Sequence, residues 1–182
     1  VDFPYLAESV GPFPTAAGGQ FDTFTTKKSV DPLPISVIPA GRLRPGTKLL
    51  LRARGHYGTT GTPNATWGFW FGTRALAITG DIAVSSVIVT PSGAAAFPWE
   101  MEWEGICTAV GTAGTLVGQG VLRQGTSLTA YSVFPIPITA ALRTVASFDT
   151  TIERAVGVSF TWGTSNSANL VVVNQSDVMI LN

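Results

Sequence analysis

The chain is short of the residues on which most chemistry rests. Cys107 is its only cysteine, so an intrachain disulfide and a thiolate metal cluster are both excluded. His56 is its only histidine, so any imidazole-dependent mechanism has one possible residue. Charge is thin as well. Asp, Glu, Lys and Arg make up 12 % of the chain, about half the usual share of roughly 25 %. The 11 basic and 11 acidic residues cancel. Nucleic acid is therefore not an expected partner, because binding it needs a basic face that displaces phosphate counterions. No run reaches the roughly 18 apolar residues of a membrane-spanning helix, and the first residues lack the basic and apolar regions of a signal peptide. A membrane is not expected either. A neutral, weakly charged surface does favour association, which points to life in an assembly.

What the chain has is strand-forming sequence and turns. Its 20 glycines and 12 prolines fit many short strands. Residues 48–72 set the class. Leu49, Leu51 and Ala53 alternate with Lys48, Arg52 and Arg54, the period of two of a half-buried strand. A loop rich in Gly, Thr, Pro and Asn follows, then Trp67, Phe69 and Phe71 on one face. Read by itself this is a hairpin. Residues 97–109 repeat the pattern, with Trp99, Met101, Trp103 and Gly105 opposite Glu100, Glu102 and Glu104, and plausibly pair with residues 115–124. Further strands are expected at 21–26, 35–38, 74–78, 82–89, 127–133, 155–162 and 169–181. Pro135 to Pro137 should break the strand at 127–133. With 35–38 limited by Pro32 and Pro34 to an edge or a strand start, the total is about eight to ten strands without an intervening amphipathic helix, which favours an antiparallel β-sandwich or barrel over any α/β fold. The long crossing segments favour a jelly-roll-like one. Residues 1–35 read as an extended N-terminal arm, because Pro4, Pro12 and Pro14 fix φ and withhold strand donors. Residues 36–182 read as the sandwich domain.

The candidate sites are few. His56 lies at a strand end between Gly55 and Tyr57, with no Gly-x-Ser-x-Gly elbow elsewhere in the chain, so no catalytic residue is assigned. No cofactor fingerprint and no metal-ligand cluster is present. Glu100, Glu102 and Glu104 could serve a glycosidase, which needs two carboxyls about 5 to 10 Å apart. Alternate residues on one strand face lie about 6.5 to 7 Å apart, so spacing does not exclude that reading. The simpler reading is a charge ladder with Arg52 and Arg54, in which each facing opposite-charge pair contributes about 0.2 to 1 kcal/mol. The aromatics at in-facing positions read as core. Trp70 is out of phase with Trp67, Phe69 and Phe71. With Asn64 in the loop, it is the expected exposed contact. Phe3, Tyr5, Phe13, Phe21 and Phe24 are the expected partner-binding residues of the arm.

Four stretches carry a family resemblance: residues 21–30; residues 38–41 with 46–55, including Leu51-Arg52-Ala53-Arg54-Gly55; residues 107–120, including Gly118-Gln119-Gly120; and residues 160–169. With the Thr59-Thr60-Gly61-Thr62-Pro63 loop they resemble the β-sandwich virion proteins of tailed bacteriophages, over about residues 21–182. The resemblance implies a non-enzymatic capsid decoration (minor capsid) protein that binds and stabilises the head lattice. Its partners would be the major capsid protein and itself, as a homotrimer. It would be made in the bacterial host cytoplasm and sit on the virion capsid surface. A tail or fibre receptor-binding module recognising a host surface glycan is the alternative, and a glycoside hydrolase the remote one.

Overall fold

The computed structural model describes residues 5–7, 23–31, 35–138, 143–145 and 147–181. The chain is all-β. Its strands are β1 Tyr5–Ala7, β2 Lys28–Ser29, β3 Ser36–Ile38, β4 Lys48–Gly58, β5 Asn64–Gly72, β6 Ile78–Val84, β7 Ile88–Val89, β8 Phe97–Ala109, β9 Thr115–Gly125, β10 Tyr131–Ile136, β11 Arg143–Val145, β12 Arg154–Trp162 and β13 Leu170–Leu181. They form two antiparallel sheets packed face to face. The seven-stranded sheet runs β1-β13-β4-β8-β9-β10, with β11 also on β9. The six-stranded sheet runs β2-β12-β5-β6, with β3 on β12 and β7 on β5.

Residues 48–72 are not a hairpin. β4 belongs to the seven-stranded sheet and β5 to the six-stranded one, so the intervening loop crosses between layers. The last two strands make the same crossing in reverse. β12 pairs with β5 and β13 with β4, so the two crossings join the same pair of layers. β8, β9 and β10 then continue as a meander.

Alternation explains the half-buried strands. Trp99, Met101, Trp103 and Cys107 of β8 are buried, while Glu100 and Glu104 are exposed. Leu49, Leu51 and Ala53 are buried on β4, with Lys48, Arg52 and Arg54 outside. In the core, Trp67 meets Phe160 edge-on at 4.9 Å, and Phe160 meets Trp162 at 4.7 Å. Such pairs add about 0.5 to 1.5 kcal/mol each beyond area burial. Trp103 needs a slot in its own sheet. A Cβ on Gly105 would lie 2.0 Å from its ring and one on Gly118 2.4 Å from it, so these two glycines make room for the indole.

Other boundaries also differ from expectation. Residues 23–26 form no strand. Residues 74–77 turn, and the strand expected at 82–89 is split between β6 and β7. Residues 126–130 turn, and β10 runs through Pro135. Proline is tolerated there because β10 pairs only with β9 among the described residues, so the missing N–H leaves no ladder bond unmade. Of the expected arm, β1 lies along β13, with Tyr5 opposite Ile180. Phe24, Val30 and Asp31 are buried.

Candidate functional site

The outer face of the seven-stranded sheet carries Lys48, Arg52, Arg54, Glu100, Glu102, Glu104, Arg123 and Asp177. Register decides who meets whom. Across one row Arg123 of β9 stands beside Glu100, Glu100 beside Arg54, and Arg54 beside Gln175 of β13. Across the next, Val121 stands beside Glu102, Glu102 beside Arg52, and Arg52 beside Asp177. The side chains use this alternation. Arg52 Nε donates to Glu102 Oε2 at 2.8 Å. Arg123 approaches Glu100 at 3.6 Å and Lys48 approaches Glu104 at 3.8 Å. Arg54 turns the other way and donates to Gln175 Oε1 at 2.8 Å, while Gln175 donates to Asp177 at 2.6 Å. Arg52, Arg54, Glu100, Glu102, Gln175 and Asp177 line an open depression of about 320 Å³.

The structure thus brings Arg52, Arg54, Glu100, Glu102 and Glu104 onto one face of two adjacent strands. Each glutamate has a cation beside it, and Arg52 takes Glu102 in particular. A glycosidase requires a general acid and a base or nucleophile flanking a bound sugar. Glu100 and Glu102 line the open depression, and all three carboxylates are engaged sideways by Lys48, Arg52 and Arg123.

Trp70 is not an exposed contact. It is fully buried, yet it stands outside the main core cluster, because it points to the outer side of its sheet. There it meets Asp31. The indole Nε1 donates to Asp31 Oδ2 at 3.2 Å and to the Val158 carbonyl at 3.1 Å. The Val158 N–H donates to the same carboxylate at 2.7 Å, and the Ser29 hydroxyl at 3.0 Å. β12 is flanked here by the gap between β2 and β3, which pair with Ser159–Phe160 and Arg154–Val156. The Asp31 carboxylate fills that gap, accepting the hydrogen bond a neighbouring strand's carbonyl would take. Gly157 makes this possible, since a Cβ there would lie 2.1 Å from Asp31 Oδ2. Burial pushes the Asp31 carboxyl up to about 7, against the hydrogen bonds from Val158, Trp70 and Ser29, which lower it. Lys27 of the same segment reaches Asp81 of β6 at 2.5 Å.

Phe24 is a core residue rather than a partner contact, packed edge-on against Phe160 at 6.2 Å. Phe3, Phe13 and Phe21 lie outside the described residues, and Tyr5 is described by its strand alone. Asn64 is exposed at the start of β5, opposite Val89. Cys107 is buried, and burial raises its thiol pKa. Among the described residues no group of three or more His, Cys, Asp or Glu is placed to hold a metal ion.

Two features go beyond the sequence reading. One is Asp31, whose signal is a lone acid in a Pro-rich connector. The other is the exposed apolar side of β10, the strand expected at 127–133, where Tyr131 and Val133 are 51 % and 63 % exposed, next to a bend whose Leu128 is 70 % exposed. The expected break at Pro135 hides how far that strand runs. No protein-family model, curated protein or solved structure matches the chain.

Proposed function

We propose that this chain is a non-enzymatic bacteriophage virion structural protein of the capsid decoration type. It would bind the major capsid protein, associate with itself as a homotrimer and stabilise the head lattice from the outer surface. The observation that carries this reading is the apolar exposed edge at β10, where Leu128, Tyr131 and Val133 project on or beside a strand whose outer edge has no strand partner among the described residues. An open strand edge with apolar side chains is an aggregation liability in a free monomer and a docking surface in an assembly. The neighbouring charged face supports the same reading, because its charges are already paired within the chain. The resemblance of residues 21–182 to phage β-sandwich virion proteins supports a phage particle.

The test is electron cryomicroscopy of purified particles carrying the wild-type chain or the Leu128→Asp/Val133→Asp double variant. Wild-type density on the head, with occupancy lost in the double variant, is the expected result. Wild-type density confined to the tail, or absent from particles, overturns the proposal, as does full head occupancy by the double variant.

A further inference from the structure

The outer face of the seven-stranded sheet ends in a groove that its charge pairing does not explain. One row of residues builds it. Tyr131 of β10 stands opposite Gly125 of β9, Gly125 lies against Pro98 of β8, and Pro98 stands opposite His56 of β4. The floor is low because Gly125 has no side chain and Pro98 has only its ring. The walls are the Tyr131 ring on one side and His56 with Asn174 on the other. Tyr131 and His56 are three strand spacings apart, about 14 Å. Arg54 and Glu100 close the groove along its length, and its volume is about 490 Å³, within the range of roughly 300 to 1,000 Å³ of small-molecule sites.

The His56 wall is a specific construction. β13 carries a bulge between Val173 and Gln175, and the extra residue is Asn174. Bulges re-aim side chains, and this one brings the Asn174 Oδ1 to 3.0 Å from His56 Nδ1. The amide oxygen is an acceptor, so Nδ1 donates to it and Nε2 is the ring nitrogen left for a ligand. The bulged strand comes so close to β4 that a Cβ at position 55 would lie 1.8 Å from the Val172 carbonyl oxygen. Gly55 is therefore required next to the only histidine of the chain. Trp99, at the groove floor, donates from Nε1 to the His56 carbonyl at 3.3 Å and fixes the backbone that carries the imidazole.

We propose that this groove binds a neutral, polyhydroxylated ligand, namely a hexose unit of an oligosaccharide. Tyr131 offers the flat apolar face on which a pyranose ring stacks, at the low entropic cost of a side chain with two torsions. His56 Nε2 shares a hydrogen bond with a sugar hydroxyl, which can donate or accept, and the Asn174 amide nitrogen donates one. Arg54 and Glu100 supply a donor set and an acceptor set of opposite sign. A groove with one cation and one anion along its sides favours neither an anionic nor a cationic ligand, which selects the neutral class. The binding is read on the purified chain, where Tyr131 is exposed and not covered by the docking proposed above.

The experiment uses the purified full chain on an array of neutral and anionic oligosaccharides built from glucose, galactose, mannose and N-acetylglucosamine units. Each ligand retained is then titrated by NMR. The expected result is binding of at least one neutral oligosaccharide, weakened about tenfold or more by Tyr131→Ala and several-fold by His56→Gln, while Arg52→Ala stays within about twofold. Tyr131 is exposed, so its replacement leaves the core intact, and the amide spectrum of each variant verifies folding. Absence of binding at about 1 mM ligand, binding of anionic oligosaccharides alone, or unchanged affinity in Tyr131→Ala overturns the proposal.

Discussion

The outer faces of the two sheets solve the same problem in opposite ways. Both carry polar groups on strands whose inner sides form the core. On the seven-stranded sheet, Arg52, Glu102 and their neighbours face water and pair with each other at low cost and low gain. On the six-stranded sheet, Gly68, Trp70, Gly72 and Gly157 face outward and are buried, and Asp31 is brought in over them. An exposed ion pair in water typically contributes about 0 to 1 kcal/mol. A buried acceptor that satisfies a strand N–H is worth more, because losing it leaves that donor without water or protein, at about 1 to 3 kcal/mol. The charge-rich face is therefore the energetically quieter one, and the face built on Gly68, Trp70, Gly72 and Gly157 holds the sensitive residue.

Altering Asp31 or its cradle tests that contrast most severely. Gly157→Val puts a branched side chain where the carboxylate sits and should displace the segment carrying Asp31, at a cost of about 1 to 3 kcal/mol or more from overpacking. Asp31→Ala leaves the Val158 N–H unpaired and should cost about 1 to 3 kcal/mol. Urea unfolding midpoints measure both. If either variant unfolds at the wild-type midpoint, the buried side is no more sensitive than the exposed one.

The pH dependence sharpens the same comparison. The Asp31 carboxyl is raised from 3.8 to about 7 in the folded chain, so between these values the native state holds a proton that the unfolded chain has lost. Stability from this group is full below about 4 and declines as pH rises toward 7, since raising pH favours the state that binds fewer protons. Asp31→Asn should remove the decline. Wild-type and variant stabilities, each measured from pH 4.5 to 8, should diverge in slope across that window, and parallel curves would refute the assignment. Asp149 and Glu153 are lowered by hydrogen bonds from Thr151 and Arg74 respectively. They act in the opposite direction at lower pH and are common to both proteins.

The smallest effect belongs to the exposed ladder. A double-mutant cycle with Arg52→Ala and Glu102→Ala should give a coupling of about 0.2 to 1 kcal/mol that shrinks as salt rises from 0.05 to 0.5 M. A coupling above about 2 kcal/mol would erase the distinction between the two faces.

Much of this was legible in the residue pattern. The period of two in β4 and β8 put Arg52, Arg54 and the three glutamates on outward faces, and their opposite signs made a shared ladder the natural pairing. The absence of any charged residue among Gly68, Trp70 and Gly72 was also visible. The phase of Trp70 shows only that it leaves the core side, and an outer face with no charge to solvate is as readily one that something covers. Asp31 gives no pattern at all, because its role depends on β12 carrying a gap between two short partners. The residues around His56 give it no catalytic context. The Asn174 bulge that orients it is one extra residue in a register, and no local composition announces that.

The sequence by itself determined the all-β class and the inward or outward direction of each long strand, because side chains alternate along any extended chain whatever it pairs with. Only the tertiary structure decided which strands are neighbours. That choice split residues 48–72 between two sheets, joined Arg52 to Glu102, buried Trp70 under Asp31 and set His56 across a groove from Tyr131. Pairing is fixed by contacts between residues far apart in the chain, and alternation carries no information about them.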